Sequence, residues 1–174
     1  DGIVGSTRPT RAAILGAFDA MEARAVKGDF VYIHLSGHGT RQPDTDGDET
    51  DGLDEVFLPA DVAHAKPGES LIPNAVIDDE IGAAVRLIRA KGADVWLVMD
   101  ACHSGSGLRA ASADTATRFV DPATLGITAT GAPVAEAGAV AGPDEDPGGD
   151  YLAFYAARST EVAREVNLAE PGAP

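Results

Sequence analysis

Basic residues are scarce. There are 13 Lys and Arg against 28 Asp and Glu, a formal net charge of −15 at pH 7. Phosphates need cationic neutralisation, so this balance argues against nucleic acid and against anionic membrane surfaces as partners. It suits cations, metal or organic. The chain also lacks any apolar run near the length of a membrane span. No signal-peptide pattern heads it, although it opens at Asp1-Gly2 without a methionine. A single cysteine, Cys102, excludes an internal disulfide, and one free thiol suits a reducing, cytoplasmic interior. The ordinary role of a lone cysteine is inert packing, so its surroundings must decide its meaning.

What is present reads as one domain. The 174 residues, 44% hydrophobic, suffice for a single core. Thr10 precedes a helix whose Ile14, Leu15, Phe18, Met21 and Ala25 share a face, closed by Lys27-Gly28. The stretch 29-DFVYIHLSGHG-39 reads as a buried strand ending in a glycine turn. An acidic loop, 40-TRQPDTDGDETDGLDE-55, leads to a short strand, 56-VFLPAD-61. Ile77-Asp78-Asp79-Glu80 opens a second helix with Ile81, Val85 and Ile88 on its apolar face, ended by Lys91-Gly92. The run 94-DVWLVMD-100 reads as a second buried strand. From 107 to 150 the composition shifts to Ala, Gly, Pro, Thr and acids, which reads as a low-complexity linker. A strand-like run, DYLAFYAARS, follows it, and no internal repeat is visible. Strands alternating with helices predict an α/β domain with a mainly parallel sheet, in which sites form at the carboxyl ends of strands.

Two strands end in unusual chemistry: Ser36-Gly37-His38-Gly39 and Asp100-Ala101-Cys102-His103-Ser104-Gly105. If these strands are neighbours, imidazole and thiol meet at one sheet edge. A thiol with a pKa of about 8.5 is mostly protonated at neutral pH, and a nearby histidine can take its proton. Cys102 would then be the nucleophile and His38 the general acid/base. Backbone N–H groups of Gly39 and of the turn at Cys102 are the plausible oxyanion donors. His103 adjoins the cysteine, but neighbouring side chains on extended backbone point apart, which favours His38. His34 lies within its strand and reads as structural; His64 has no context.

The motifs 36-SGHG-39 and 100-DACHSG-105 closely resemble the two catalytic motifs of the metacaspases and orthocaspases, within the caspase-like cysteine peptidases. The texts 44-DTDGDETDGLDEVFLPAD-61, 77-IDDEI-81 and DYLAFYAARSTEVARE, which starts at Asp150, resemble that family's flanking segments. The resemblance covers about residues 10–108 and 151–166 and leaves the linker unmatched. It implies a caspase-hemoglobinase-like sandwich, a mainly parallel central sheet flanked by helices. It also implies peptide hydrolysis through an acyl-enzyme formed by a His38–Cys102 dyad. Asp100 and Ser36 match the positions that line the family's primary specificity pocket. A carboxylate there selects Arg or Lys by charge-assisted hydrogen bonds, so protein or peptide substrates with Arg or Lys before the scissile bond are expected. The competing role for Asp100 is a strand-end aspartate bonded to the next turn.

The chemistry requires no cofactor, but many metacaspases need calcium. Asp54, Asp78 and Asp79 match three positions of the family's ion site, whereas the fourth falls at Arg109, a cation that cannot ligate calcium. Acids in the first turn of a helix are also explained by its dipole alone. Asp44, Asp46, Asp48, Thr50 and Glu55 fall at EF-hand offsets, but Glu49 occupies the obligatory glycine position and no helix precedes the loop, so an EF-hand is rejected. The resemblance further implies a catalytic domain incomplete at both ends. Residues 151–174 would open a small-subunit portion whose remainder, or a partner chain, lies elsewhere. Arg109 and Arg118 are candidate self-cleavage sites; plain exposed arginines are the competing reading. A non-catalytic scaffold or calcium-binding domain, and another thiol hydrolase or transferase using the same dyad, are the alternatives.

Overall fold

The protein is described by a computed structural model that covers residues 7–47, 49, 51–101, 115–128, 148–156 and 164–166. Its strands are β1 (Phe30–Ser36), β2 (His38–Pro43), β3 (Leu53–Leu58), β4 (Val76–Ile77), β5 (Asp94–Asp100), β6 (Thr115–Thr117), β7 (Tyr151–Tyr155) and β8 (Arg164–Val166). Among the described residues there are two α-helices: α1 (Arg11–Arg24) precedes β1, and α2 (Asp78–Ala90) stands between β4 and β5.

The helices form where the local signals put them. Thr10 caps α1, its hydroxyl accepting from the Ala13 N–H at 3.2 Å. The Glu80 carboxylate accepts from the Ile77 N–H at 3.2 Å and so serves the first turn of α2, which carries three acids. Arg11 joins the two helix starts, donating to Glu80 and to the Ala75 carbonyl. The expected apolar faces hold: Ile14, Phe18, Ile81, Val85 and Ile88 are all buried.

Strands β1, β5 and β7 form a parallel sheet in that order, with Ile33 opposite Leu97 and Ser36 opposite Asp100. Both helices pack on the face that carries Ile33, Val95, Leu97 and Met99. Each such side chain, fully buried, stabilises by about 1.5–3 kcal/mol before entropy is counted. β1 and β5, whose apolar runs read as buried strands, are therefore covered on one face only among the described residues. On the opposite face Phe30, Tyr32, Trp96, Leu152 and Phe154 are exposed. Trp96 bridges the ring edges there, 5.2 Å from Phe30 and 6.1 Å from Phe154.

A second, antiparallel sheet runs β2-β3-β4. Here the expected acidic loop at 40–55 is corrected. Its first residues continue β2, its last begin β3, and only the tip is irregular. Thr40, Arg41 and Gln42 are buried despite their polarity. Gln42 donates to Asp54 and accepts from the Ile72 N–H, while Arg41 pairs with Asp51 and Glu55.

The 107–150 stretch is not a structureless linker throughout. Thr115–Thr117 pairs with Arg164–Val166, and Pro122–Leu125 forms a short 3-10 helix. Asp121 caps that helix, and Gly126, at φ 84°, ends it in the left-handed conformation. Leu125 and Ile127 are buried with Val56, Ile72 and Ala75 in a second apolar cluster. Two large apolar side chains suffice to dock a segment whose composition reads as polar and flexible.

Candidate active site

The register of β1 and β5 builds one side of the site. Because Ser36 and Asp100 are paired, the two motifs leave the same edge of the sheet in step. The Gly37 N–H donates to the Asp100 carbonyl at 3.1 Å, which extends the pairing one residue beyond β1. The Ser36 hydroxyl donates to Asp100 Oδ2 at 3.1 Å. Both residues assigned by resemblance to the specificity pocket thus lie side by side. Asp100 accepts a bond from the neighbouring strand.

His38 opens β2 and is exposed, and Gly39 beside it is buried. One residue, Gly37, separates the two sheets. A Cβ there would stand 2.8 Å from Phe57 Cζ, so its side is filled by a core ring and not by an open approach for substrate. Cys102, His103 and Arg109 lie outside the described residues. His34 sits on the exposed face of β1 beside Tyr32.

Arg118, singled out in the sequence as a candidate self-cleavage site, meets both residues that the resemblance assigns to the pocket. Its Nη1 donates to Ser36 Oγ at 2.8 Å and to the Asp100 carbonyl at 3.1 Å. Its Nη2 stands 3.4 Å from Asp100 Oδ2. Its carbonyl accepts from the Gly39 N–H at 2.9 Å, and the Val120 N–H returns a bond to the Gly39 carbonyl at 2.9 Å. The Thr40 hydroxyl donates to the Val120 carbonyl. Thr40 was not anticipated as a site residue; its burial inside a polar strand is visible only in the fold.

The three candidate calcium residues flank the acidic hairpin. Asp54 is 2% exposed. Burial, with Asp44, Asp79 and Asp46 nearby, raises its pKa to about 6 against the bond from Gln42. Burial and the charges of Glu55 and Asp79 raise Asp78 to about 7. Burial also raises Asp79. Asp44 is lowered by the backbone N–H of Gly47, and also by those of Asp46 and Glu49, so it organises the hairpin tip. Among the described residues no group of three or more His, Cys, Asp or Glu side chains is gathered closely enough to hold a metal. The donor chemistry of Asp54, Asp78 and Asp79 nonetheless fits a hard dication. Arg86 acts against the like charge at Asp79, and Arg41 pairs with Asp51 and Glu55 of the same hairpin.

A parallel sheet with two helices packed on it, whose adjacent strands end side by side at Ser36 and Asp100, is the arrangement of the caspase-like class of α/β domains. The comparisons make this specific. The profile of the metacaspase, peptidase C14 domain matches residues 3–111, and the chain belongs to that family. It is 38% identical over 100 residues to metacaspase-1B of Aspergillus oryzae, covering 58% of this chain and 22% of that protein. It is 37% identical over 102 residues to metacaspase-1A of Aspergillus fumigatus, covering 59% of this chain and 23% of that protein. The chain therefore spans under a quarter of the length of these curated relatives. A crystal structure of a Geobacter sulfurreducens protein matches with TM-score 0.50 and 31% identity, covering 68% of this chain and 40% of that one. No helix among the described residues is long and apolar enough to cross a membrane.

Proposed function

We propose that the protein is a cysteine endopeptidase that hydrolyses peptide bonds after Arg or Lys. One observation carries the specificity: Ser36 Oγ and the Asp100 carboxylate and carbonyl converge on a guanidinium. A planar cation with several N–H donors matches such an acceptor set, and a carboxylate substrate residue would meet repulsion there. Family membership and the equal offset of the two motifs from a shared register support the dyad.

In this reading His38 takes the proton of the Cys102 thiol, and the thiolate adds to the carbonyl carbon of the scissile bond. The developing oxyanion is stabilised by the N–H groups of Gly39 and Cys102. The C–N bond then breaks, and His38 returns the proton to the leaving amine. Water, deprotonated by His38, hydrolyses the thioester and restores the thiol. Calcium, when bound, would be held by Asp54, Asp78 and Asp79 and would compensate their crowded charge, acting as an activator outside the chemistry. Self-processing after Arg109 or Arg118 belongs to the same specificity.

The test uses two fluorogenic peptides, one ending in Arg and one in Asp, each with calcium and with chelator. Faster turnover of the Arg peptide, increased by calcium, is expected. Faster turnover of the Asp peptide overturns the specificity. Turnover of neither overturns the peptidase assignment in favour of a scaffold.

A further inference from the structure

We propose that Phe57 is the positioning residue for His38: its ring packs against Gly37, the single residue between the two sheets, and fixes where the imidazole stands at the start of β2. The inference rests on the dyad reading above and adds to it a residue that stands outside the dyad.

His38 is exposed, so burial of its own side chain does not hold the imidazole. Its place follows from the backbone that delivers it, and that backbone is gripped from two sides at Gly37. From β5, the Asp100 carbonyl accepts from the Gly37 N–H at 3.1 Å. From β3, the tip of the Phe57 ring lies where a Gly37 side chain would begin. A Cβ there would stand 2.8 Å from Phe57 Cζ and 3.0 Å from Cε2. Phe57 is also paired in register with Gly39, the residue after His38, and Leu58 with His38 itself. Both neighbours of the imidazole are thus set by Phe57, one through its ring and one through its strand.

The ring is firmly based. Phe57 is 6% exposed and belongs to the core that holds α1 and α2, together with Val76, its register partner in β4. Val56, the residue before it, is buried in the second apolar cluster. β3 therefore sends one side chain into each core, and Phe57 is the one that meets the turn. A ring held in a close-packed interior transmits displacement rather than absorbing it. A shorter side chain removes the support on one side of Gly37 and leaves the bond to Asp100 on the other. A misplacement of about 1 Å in a reacting group costs about 100-fold in rate, so a small relaxation of the turn is visible in kcat. Ser36 and Asp100 belong to the parallel sheet, held by their own register, so the seat of a substrate arginine stays in place.

The test uses the full chain and reads the dyad in two ways. One is the pH dependence of Cys102 alkylation by iodoacetamide, which needs no substrate; the other is kcat and KM on a fluorogenic Arg peptide. A histidine-assisted thiol reacts below the ordinary thiol pKa of about 8.5. Phe57→Leu is expected to move the alkylation midpoint up toward that value and to lower kcat by about 10- to 100-fold, with KM little changed. Phe18→Leu, in the same core at 3% exposure, is the control. It is expected to lower the melting temperature and to leave midpoint and kcat where they are. Gly37→Ala placed in the Phe57→Leu chain is expected to recover kcat relative to Gly37→Ala alone, since the methyl then has room. Phe57→Met, closer in volume, is expected to give a smaller shift of the same sign and serves if the leucine chain does not fold. Equal effects of Phe57→Leu and Phe18→Leu on midpoint and kcat, or no effect of Phe57→Leu on either, overturn the positioning role. A double variant no better than Gly37→Ala overturns the contact between ring and turn. A parent thiol that titrates at the ordinary value, in a chain that turns over no peptide, overturns the dyad reading, and the positioning role falls with it.

Discussion

Asp100→Asn has a consequence that depends on what else is in the pocket. The carboxylate oxygen lies 3.4 Å from Arg118 Nη2, while Ser36 Oγ and the Asp100 backbone carbonyl take Nη1 at 2.8 and 3.1 Å. Asparagine is nearly isosteric and leaves the last two contacts in place. It removes one charge-assisted interaction, worth about 2 kcal/mol, which is about 30-fold in affinity for a substrate arginine. The internal arginine loses the same amount. If Arg118 fills most pockets at rest, the apparent specificity constant is the intrinsic one divided by the internal occupancy constant. Both fall together, and Asp100→Asn should leave kcat/KM for an Arg peptide nearly unchanged. In an Arg118→Ala chain nothing compensates, and the same substitution should lower kcat/KM by about 30-fold. The assay is a four-member mutant cycle on one fluorogenic Arg peptide, with melting temperatures to confirm folding. An equal fall in both backgrounds would refute the shared pocket. No fall in either would remove Asp100 from substrate recognition.

Four further outcomes are expected. Cys102→Ala should abolish hydrolysis with an unchanged circular dichroism melt; retained turnover would remove the nucleophile. Gly149→Ala should destabilise by about 2 kcal/mol or more, because a Cβ there falls 1.9 Å from the Ala93 carbonyl oxygen and displaces the Gly149 carbonyl that accepts from Arg89 at 2.7 Å. Thermal denaturation measures it, at about 2–4 °C per kcal/mol, and an unchanged midpoint would contradict the contact. Asp54→Asn should remove any calcium-induced rise in melting temperature; a rise equal to that of the parent would place the ion elsewhere. Gly37→Ala should lower kcat for Arg peptides more than it lowers stability, since the added methyl meets the Phe57 ring at 2.8 Å and shifts the adjacent His38; wild-type kcat would show that the turn yields without moving the imidazole.

The helices and the parallel core were legible because their signals are local. Thr10 supplies a cap and Ile14 and Phe18 an apolar face, while β1 and β5 announce themselves as apolar runs between turn residues. β2 was not legible. HGTRQP has no apolar alternation, and its Gln42 is buried because Asp54 and Ile72, far along the chain, satisfy it. The Ser36–Asp100 pair could be anticipated, since each stands two residues before its motif's key side chain and the strands are neighbours. The seat of Arg118 could not. It follows Asp100 by a stretch without periodicity, and the two apolar residues that anchor it, Leu125 and Ile127, are separated by a glycine and resemble an ordinary loop. Sequence chemistry named Arg118 as a candidate self-cleavage site; only long-range packing places its guanidinium on the residues expected to recognise it.

The division of labour between the sheets gives that placement its force. Ser36 and Asp100 belong to the parallel sheet, whereas His38 and Gly39 open the antiparallel one, with Gly37 alone between them. The residues assigned to specificity and the one assigned to acid–base chemistry therefore stand on separate sheets. Arg118 touches both at once, its side chain on one sheet and its carbonyl on the other. A ligand so placed contributes affinity in proportion to how well the two sheets are mutually aligned, and in turn favours their alignment. A small cation that fills only the Ser36–Asp100 side forgoes the backbone contact at Gly39, so it should compete with substrate without reproducing the hold of Arg118.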